Sequence, residues 1–156
     1  ALRPLTGNWL DLGSGGGLPG AILAILAGQK REAMVQLVES RGKKAAFLQN
    51  IIGQTQVPGK VHVMRIEDAH ALIKGIDVVT ARALAPLSEL IGLALPWLTD
   101  GAVGLFHKGR DFRQEIELAR DVWDFDLIEH TSAIDADSVI LEISNVSQRL
   151  RGELTK

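Results

Sequence analysis

The chain contains neither cysteine nor tyrosine. Without cysteine, disulfide scaffolds, thiolate nucleophiles and cysteine-ligated metal centres are excluded. Aromatic residues make up only 4% of the 156 positions, so no platform for stacking single-stranded bases is evident. Long apolar runs are also missing. The longest, from Leu18 to Gly28, is too short to cross a bilayer. It has neither the basic lead nor the cleavage site of a signal peptide, so a soluble, cytoplasmic protein without membrane contact is expected.

What is present reads as an ordinary globular domain. Hydrophobic residues account for 46% and charged residues for 23%, close to the globular average. The length suits a single domain over 1–156, large enough for a real hydrophobic core. The net charge of −2 hides an asymmetry. Between Asp111 and Glu142 there are ten acidic residues against two arginines, which leaves a basic surplus of six on the rest of the chain. That surplus allows an anionic partner, although an uneven solvated surface would show the same charge pattern.

Apolar periodicity gives alternating strands and helices. Residues 8–12 read as a short buried strand, followed by a glycine-rich turn and an apolar helix over 19–27. Residues 34–39 form a second strand, and 43–54 a helix whose buried stripe is Phe47, Leu48, Ile51 and Ile52. Third and fourth strands are expected over 61–66 and 77–80. Pro86 opens a helix with Leu87, Leu90, Ile91, Ala94 and Leu98 on one side, which Pro96 is expected to end or kink. A fifth strand covers 102–107, and Phe112, Ile116, Ala119 and Trp123 mark another amphipathic helix. Residues 125–130 and 139–144 read as a closing antiparallel hairpin with an acidic loop between its strands. The expected fold is α/β: a doubly wound, mostly parallel seven-stranded sheet with an antiparallel C-terminal hairpin.

In such sheets the first strand–helix turn usually contributes to a ligand site. Here it reads Asp11-Leu12-Gly13-Ser14-Gly15-Gly16-Gly17-Leu18-Pro19-Gly20. Gly15, Gly17 and Gly20 satisfy the dinucleotide pattern G-x-G-x-x-G, and Glu39 lies 19 residues beyond Gly20, where a ribose-binding acid belongs. Two features weigh against a pyrophosphate. Pro19 has no N–H to offer an anion, and Asp11 places a carboxylate beside the turn. S-adenosylmethionine carries an ammonium and a sulfonium but no phosphate, and tolerates both. On the motif alone the nicotinamide reading stays open.

Downstream residues fit the same ligand. Glu39 ends the second strand and can accept both ribose hydroxyls. Ile66, Glu67 and Asp68 follow the third strand, in reach of an adenine edge. Arg82, just past the fourth, is placed to pair with a carboxylate or phosphate.

With these residues in view, the chain resembles the glucose-inhibited division protein B group, bacterial small-subunit ribosomal RNA guanine-N7 methyltransferases (methyltransferase G). The resemblance rests on the glycine turn and on Val38-Glu39-Ser40-Arg41-Gly42-Lys43-Lys44, Arg65-Ile66-Glu67-Asp68, Thr80-Ala81-Arg82-Ala83-Leu84-Ala85 and His107-Lys108-Gly109. It implies a class I S-adenosylmethionine-dependent methyltransferase domain with cofactor contacts from Gly13, Leu18, Ile66, Glu67 and Arg82. Asp11, Gly15 and Glu39 join that expected set, Glu39 standing where related sequences usually have Asp. Family members carry a helical segment ahead of the first strand, which this chain is expected to lack; that bears on RNA docking more than on the cofactor pocket.

Guanine N7 already has a lone pair, so no general base is expected, and Arg82 is assigned an orienting role. RNA contact is expected from Arg41, Lys43 and Lys44, and from Lys108, Arg110 and Arg113, the partner being small-subunit RNA or an assembled ribosomal particle. His62, His70, His107 and His130 lack the spacing of a helical metal site, so no metal is expected. Trp9, Trp97 and Trp123 read as packing residues, and the chain as a monomer. Competing functions are an NAD(P)-dependent oxidoreductase and a non-catalytic nucleotide-binding assembly module.

Overall fold

A computed structural model describes residues 4–30, 32–132 and 135–150. In chain order the elements are β1 (Gly7–Leu12), α1 (Gly20–Lys30), β2 (Ala33–Glu39), α2 (Gly42–Thr55), β3 (Gly59–Val63), α3 (Ile66–Ala69), β4 (Val78–Arg82), α4 (Leu87–Thr99), β5 (Val103–Lys108), α5 (Phe112–Arg120), β6 (Trp123–Thr131) and β7 (Val139–Gln148). The strands make one sheet in the order β3-β2-β1-β4-β5-β7-β6. The first five run parallel, and β7 pairs antiparallel with both β5 and β6. The expected seven-stranded sheet with a C-terminal hairpin is what forms. Ala133 and Ile134, in the hairpin's acidic loop, lie outside the described residues.

Alternation along each strand divides the core between the two faces. Leu10, Val79, Phe106 and Leu141 pack with α4 and α5 residues such as Leu90, Ile91, Trp97 and Ile116. Trp9, Val78 and Leu105 face the other way, toward Ala21, Ala24 and Ala27 of α1 and Leu48 of α2. All three tryptophans are buried, in keeping with packing roles. None of the described helices is long and apolar enough to cross a membrane.

Several local expectations are corrected. Of the expected α2 stripe, Leu48 is buried and Ile51 and Ile52 pack partly buried against the core, but Phe47 is 52% exposed and Ala45 is buried in its place. Pro96 lies inside α4 without ending it. Trp97 and Leu98 beyond it are buried, and the Trp97 indole donates to the Ile73 carbonyl at 2.9 Å, so tertiary packing outweighs the lost backbone bond. Trp123 opens β6 and is not part of the helix stripe, with its indole donating to the Ser88 carbonyl at 3.0 Å. The third strand ends at Val63, and Ile66 starts the single-turn α3, whose first turn holds Glu67 and Asp68, as a helix N-terminus favours. Arg82 is the last residue of β4 and not a loop residue.

Candidate cofactor site at the carboxyl edge of the sheet

Between β3 and β4 the chain crosses from the outer edge of the sheet to the far side of β1, which makes β1/β4 the point where strand order reverses. Ligands of open α/β sheets sit outside the strand ends at such a point. The glycine turn leaves β1 here. Gly13, Gly15 and Gly17 have φ of 65°, 52° and 91°, conformations that side chains with a Cβ rarely adopt. At Gly13 a Cβ would stand 2.7 Å from Leu84 Cδ1, so the backbone itself forms the wall at this point.

Asp11 holds the turn from beneath. It is 1% exposed. Its Oδ1 accepts from the Thr80 hydroxyl at 2.7 Å, and its Oδ2 from the Gly20 N–H at 3.2 Å. A Cβ on Gly20 would collide with Oδ2, which explains the third glycine of the pattern by packing and not by phosphate binding. Burial pushes the Asp11 carboxyl up to about 6, against the opposing hydrogen bonds from Thr80, Ser14 and Gly20.

One cleft of about 480 Å³ gathers Gly13, Gly15, Glu39, Ile66 and Glu67, all expected site residues, together with Arg41 and Lys44. Glu39 is 7% exposed. Its Oε2 accepts from the Gly15 N–H at 2.8 Å and its Oε1 from the Arg41 N–H at 3.0 Å, which ties the glycine turn to the end of β2. Each oxygen keeps a further lone pair for a ligand hydroxyl. Sequence reasoning missed Met64, Glu89 and Leu93, which add to the lining from one loop and from α4. Only their placement by the fold could have revealed them.

The other expected residues lie elsewhere. Leu18 and Arg82 line a second, mainly apolar cavity of about 380 Å³ on the α1 side, with Trp9, Thr80, Leu105 and His107. Arg82 is paired in register with His107, whose imidazole accepts a proton less readily than usual because it is partly buried and faces the Arg82 guanidinium. Asp11 lines neither cavity, and its carboxylate is engaged by Thr80 and Gly20. Asp68 is exposed outside both.

Lys108 requires the clearest correction. Expected to meet RNA, its side chain is only 8% exposed and is engaged by the Ala85 carbonyl and by Glu115. Two residues from Phe106 on β5, it shares that residue's α4–α5 face, and its ammonium is already engaged there. Arg41, Lys43 and Lys44 are exposed, as are Arg110 and Arg113, which form surface pairs with Asp137 and Glu129. The histidines have separate partners: Gln36 for His62, Asp100 for His70, Ser138 for His107 and Glu142 for His130. Among the described residues no three His, Asp or Glu side chains are grouped to hold a metal ion.

Comparison with known proteins supports the same placement. A family model described as GidB, rRNA small subunit methyltransferase G, matches residues 3–141. Ribosomal RNA small subunit methyltransferase G of Chelativorans is 53% identical over 145 residues, which is 93% of this chain and 69% of that protein. The Brucella ovis protein of the same name is 53% identical over 142 residues, 91% of this chain and 67% of its own. Among solved structures, the Aeropyrum pernix fibrillarin complex with S-adenosyl-L-methionine superposes with a TM-score of 0.67 at 16% identity, covering 90% of this chain and 68% of that one. The Methanococcus jannaschii fibrillarin gives 0.68 at 16% identity, covering 92% and 69%. These structural likenesses establish a shared class I methyltransferase fold, and the sequence matches go further: the chain belongs to the GidB family of ribosomal RNA small subunit methyltransferases G.

Proposed function

We propose that this protein transfers the methyl group of S-adenosylmethionine to N7 of a guanine in bacterial small-subunit ribosomal RNA. The observation that carries the reading is the cleft at the β1/β4 reversal, where the Glu39 carboxylate stands beside a glycine turn. Family membership supplies methyl transfer and ribosomal RNA, and the resemblance noted in the sequence supplies guanine and N7.

The residues suit this cofactor chemically. Glu39, Glu67 and Glu89 put three carboxylates on the cleft. They suit hydroxyl and ammonium groups, while Arg41, Lys44 and Arg65 line the same cleft with the opposite charge, so what weighs against the nicotinamide alternative is membership of a methyltransferase family. Glu39 would hold the ribose hydroxyls, with Gly13, Gly15, Ile66 and Glu67 around the adenosyl group. When bound, the cofactor supplies an electrophilic methyl carbon on a sulfonium. Guanine N7 needs no deprotonation, so the protein's task is to align N7 with that carbon, a contribution worth up to ~7–11 kcal/mol. Arg82, exposed at the end of β4, is the orienting residue in this scheme, and Leu18 borders the same cavity. Arg41, Lys43, Lys44 and Arg110 are the RNA-facing cations. Action as a cytoplasmic monomer belongs to the same proposal.

The test is methyl incorporation into small-subunit RNA and into assembled particles, with the modified nucleotide mapped, alongside calorimetry with S-adenosylmethionine and NAD. One 7-methylguanine and binding of the sulfonium ligand alone are expected. Methylation at another atom would refute the N7 assignment, and NAD binding without the sulfonium ligand would refute the cofactor.

A further inference from the structure

The pair of the buried Lys108 with the partly buried Glu115 does more than join β5 to α5. Lys108 Nζ donates to the Ala85 carbonyl at 2.6 Å and to Glu115 Oε1 at 3.1 Å. The same Oε1 accepts from the Leu87 N–H at 3.0 Å. One acceptor and one donor of the β4–α4 connection are therefore held by two opposite charges. Pro86, at the start of α4, makes no side-chain cap, so Glu115 of the neighbouring helix satisfies one of that helix's free N–H groups.

The connection held in this way is a wall of the cofactor cleft: Ala83, Leu84 and Ala85 all line it. Ala83 has φ of 48°, a left-handed conformation in a residue with a Cβ, which persists only where the surroundings enforce it. On one side Leu84 sits against Gly13, and on the other Ala85 is tied to Lys108. We infer that Lys108 and Glu115 are positioning residues that clamp residues 83–87 and so set the width of the cofactor cleft and the placement of the adjoining Arg82. This rests on the reading of that cleft as the cofactor site. A simple stabilising ion pair would not need this polarity, since well-packed apolar residues hold a core at least as well.

The experiment measures binding of S-adenosylhomocysteine, which needs no RNA, together with RNA affinity at several salt concentrations. K108M is expected to weaken S-adenosylhomocysteine about tenfold, the loss of one charge-assisted bond to the wall, and to leave the salt dependence of RNA binding unchanged. E115A should lose more than E115Q, whose amide oxygen still accepts from both donors. The charge-swapped K108E/E115K should bind no better than K108M, because Ala85 would then face an acceptor and Leu87 a donor. Recovery in the swapped pair would overturn the clamp, as would K108M losing RNA affinity while keeping the ligand. Hydrogen exchange at the Leu87 amide, faster in E115A than in E115Q, tests it even if K108M does not fold; equal exchange in the two would refute it. Failure of the unmodified protein to bind S-adenosylhomocysteine would refute the cofactor reading instead, and the Leu87 comparison would still report on the clamp.

Discussion

Asp11→Asn isolates the energetic cost of the carboxylate beneath the glycine turn. The native carboxyl is pushed from 3.8 to about 6, chiefly by burial. A displacement of that size corresponds to about 3 kcal/mol between the protonation states. Between roughly pH 4 and 6 the native group keeps a proton that the unfolded chain has released. Native protein thus binds more protons, and this group's contribution to stability falls as pH rises through that window, then stays flat above it. Asparagine has no proton to lose. Its amide oxygen can accept from the Gly20 N–H while its NH2 donates to the Thr80 hydroxyl, so both neighbours of Asp11 keep partners. Urea unfolding from pH 3 to 8 in both proteins gives the comparison. The difference in stability should move by about 3 kcal/mol in favour of the variant across the window, whatever constant offset the substitution adds. Parallel curves would show that Asp11 titrates as in the unfolded chain and that burial does not raise it.

Gly13→Ala forces a Cβ into Leu84 at φ 65°; a loss of about 1–3 kcal/mol in unfolding free energy is expected. Glu39→Ala removes the acceptor shared by the Gly15 and Arg41 amides, so S-adenosylhomocysteine affinity measured by calorimetry should drop at least about tenfold. Lys43→Ala and Arg110→Ala should each lower the salt slope of RNA binding by about 0.7–0.9 if they meet phosphates.

Most of the architecture was legible because each element carries its own period. The glycine turn, Glu39 and residues 66–67 come from consecutive strand ends, so sequence order alone placed them at one edge. Phe47 and Lys108 show where this reasoning fails. A helix stripe does not tell how far the packed face extends, and Phe47 is exposed while its neighbour Leu48 is fully buried. Lys108 looked like one more surface cation near Arg110. Its burial depends on strand alternation together with Glu115 on the next helix and a carbonyl 23 residues earlier. Glu89 was unreadable for a similar reason, since it reaches the cleft only through the docking of α4.

The cleft takes one wall from the β1–β2 side, through Gly13, Gly15 and Glu39, and the other from the connection that leaves β4. A ligand gripped by both walls would act as a rivet through the seam of the sheet. Its binding energy would add to the cohesion of the whole molecule by mass action, so occupancy and resistance to unfolding should rise together.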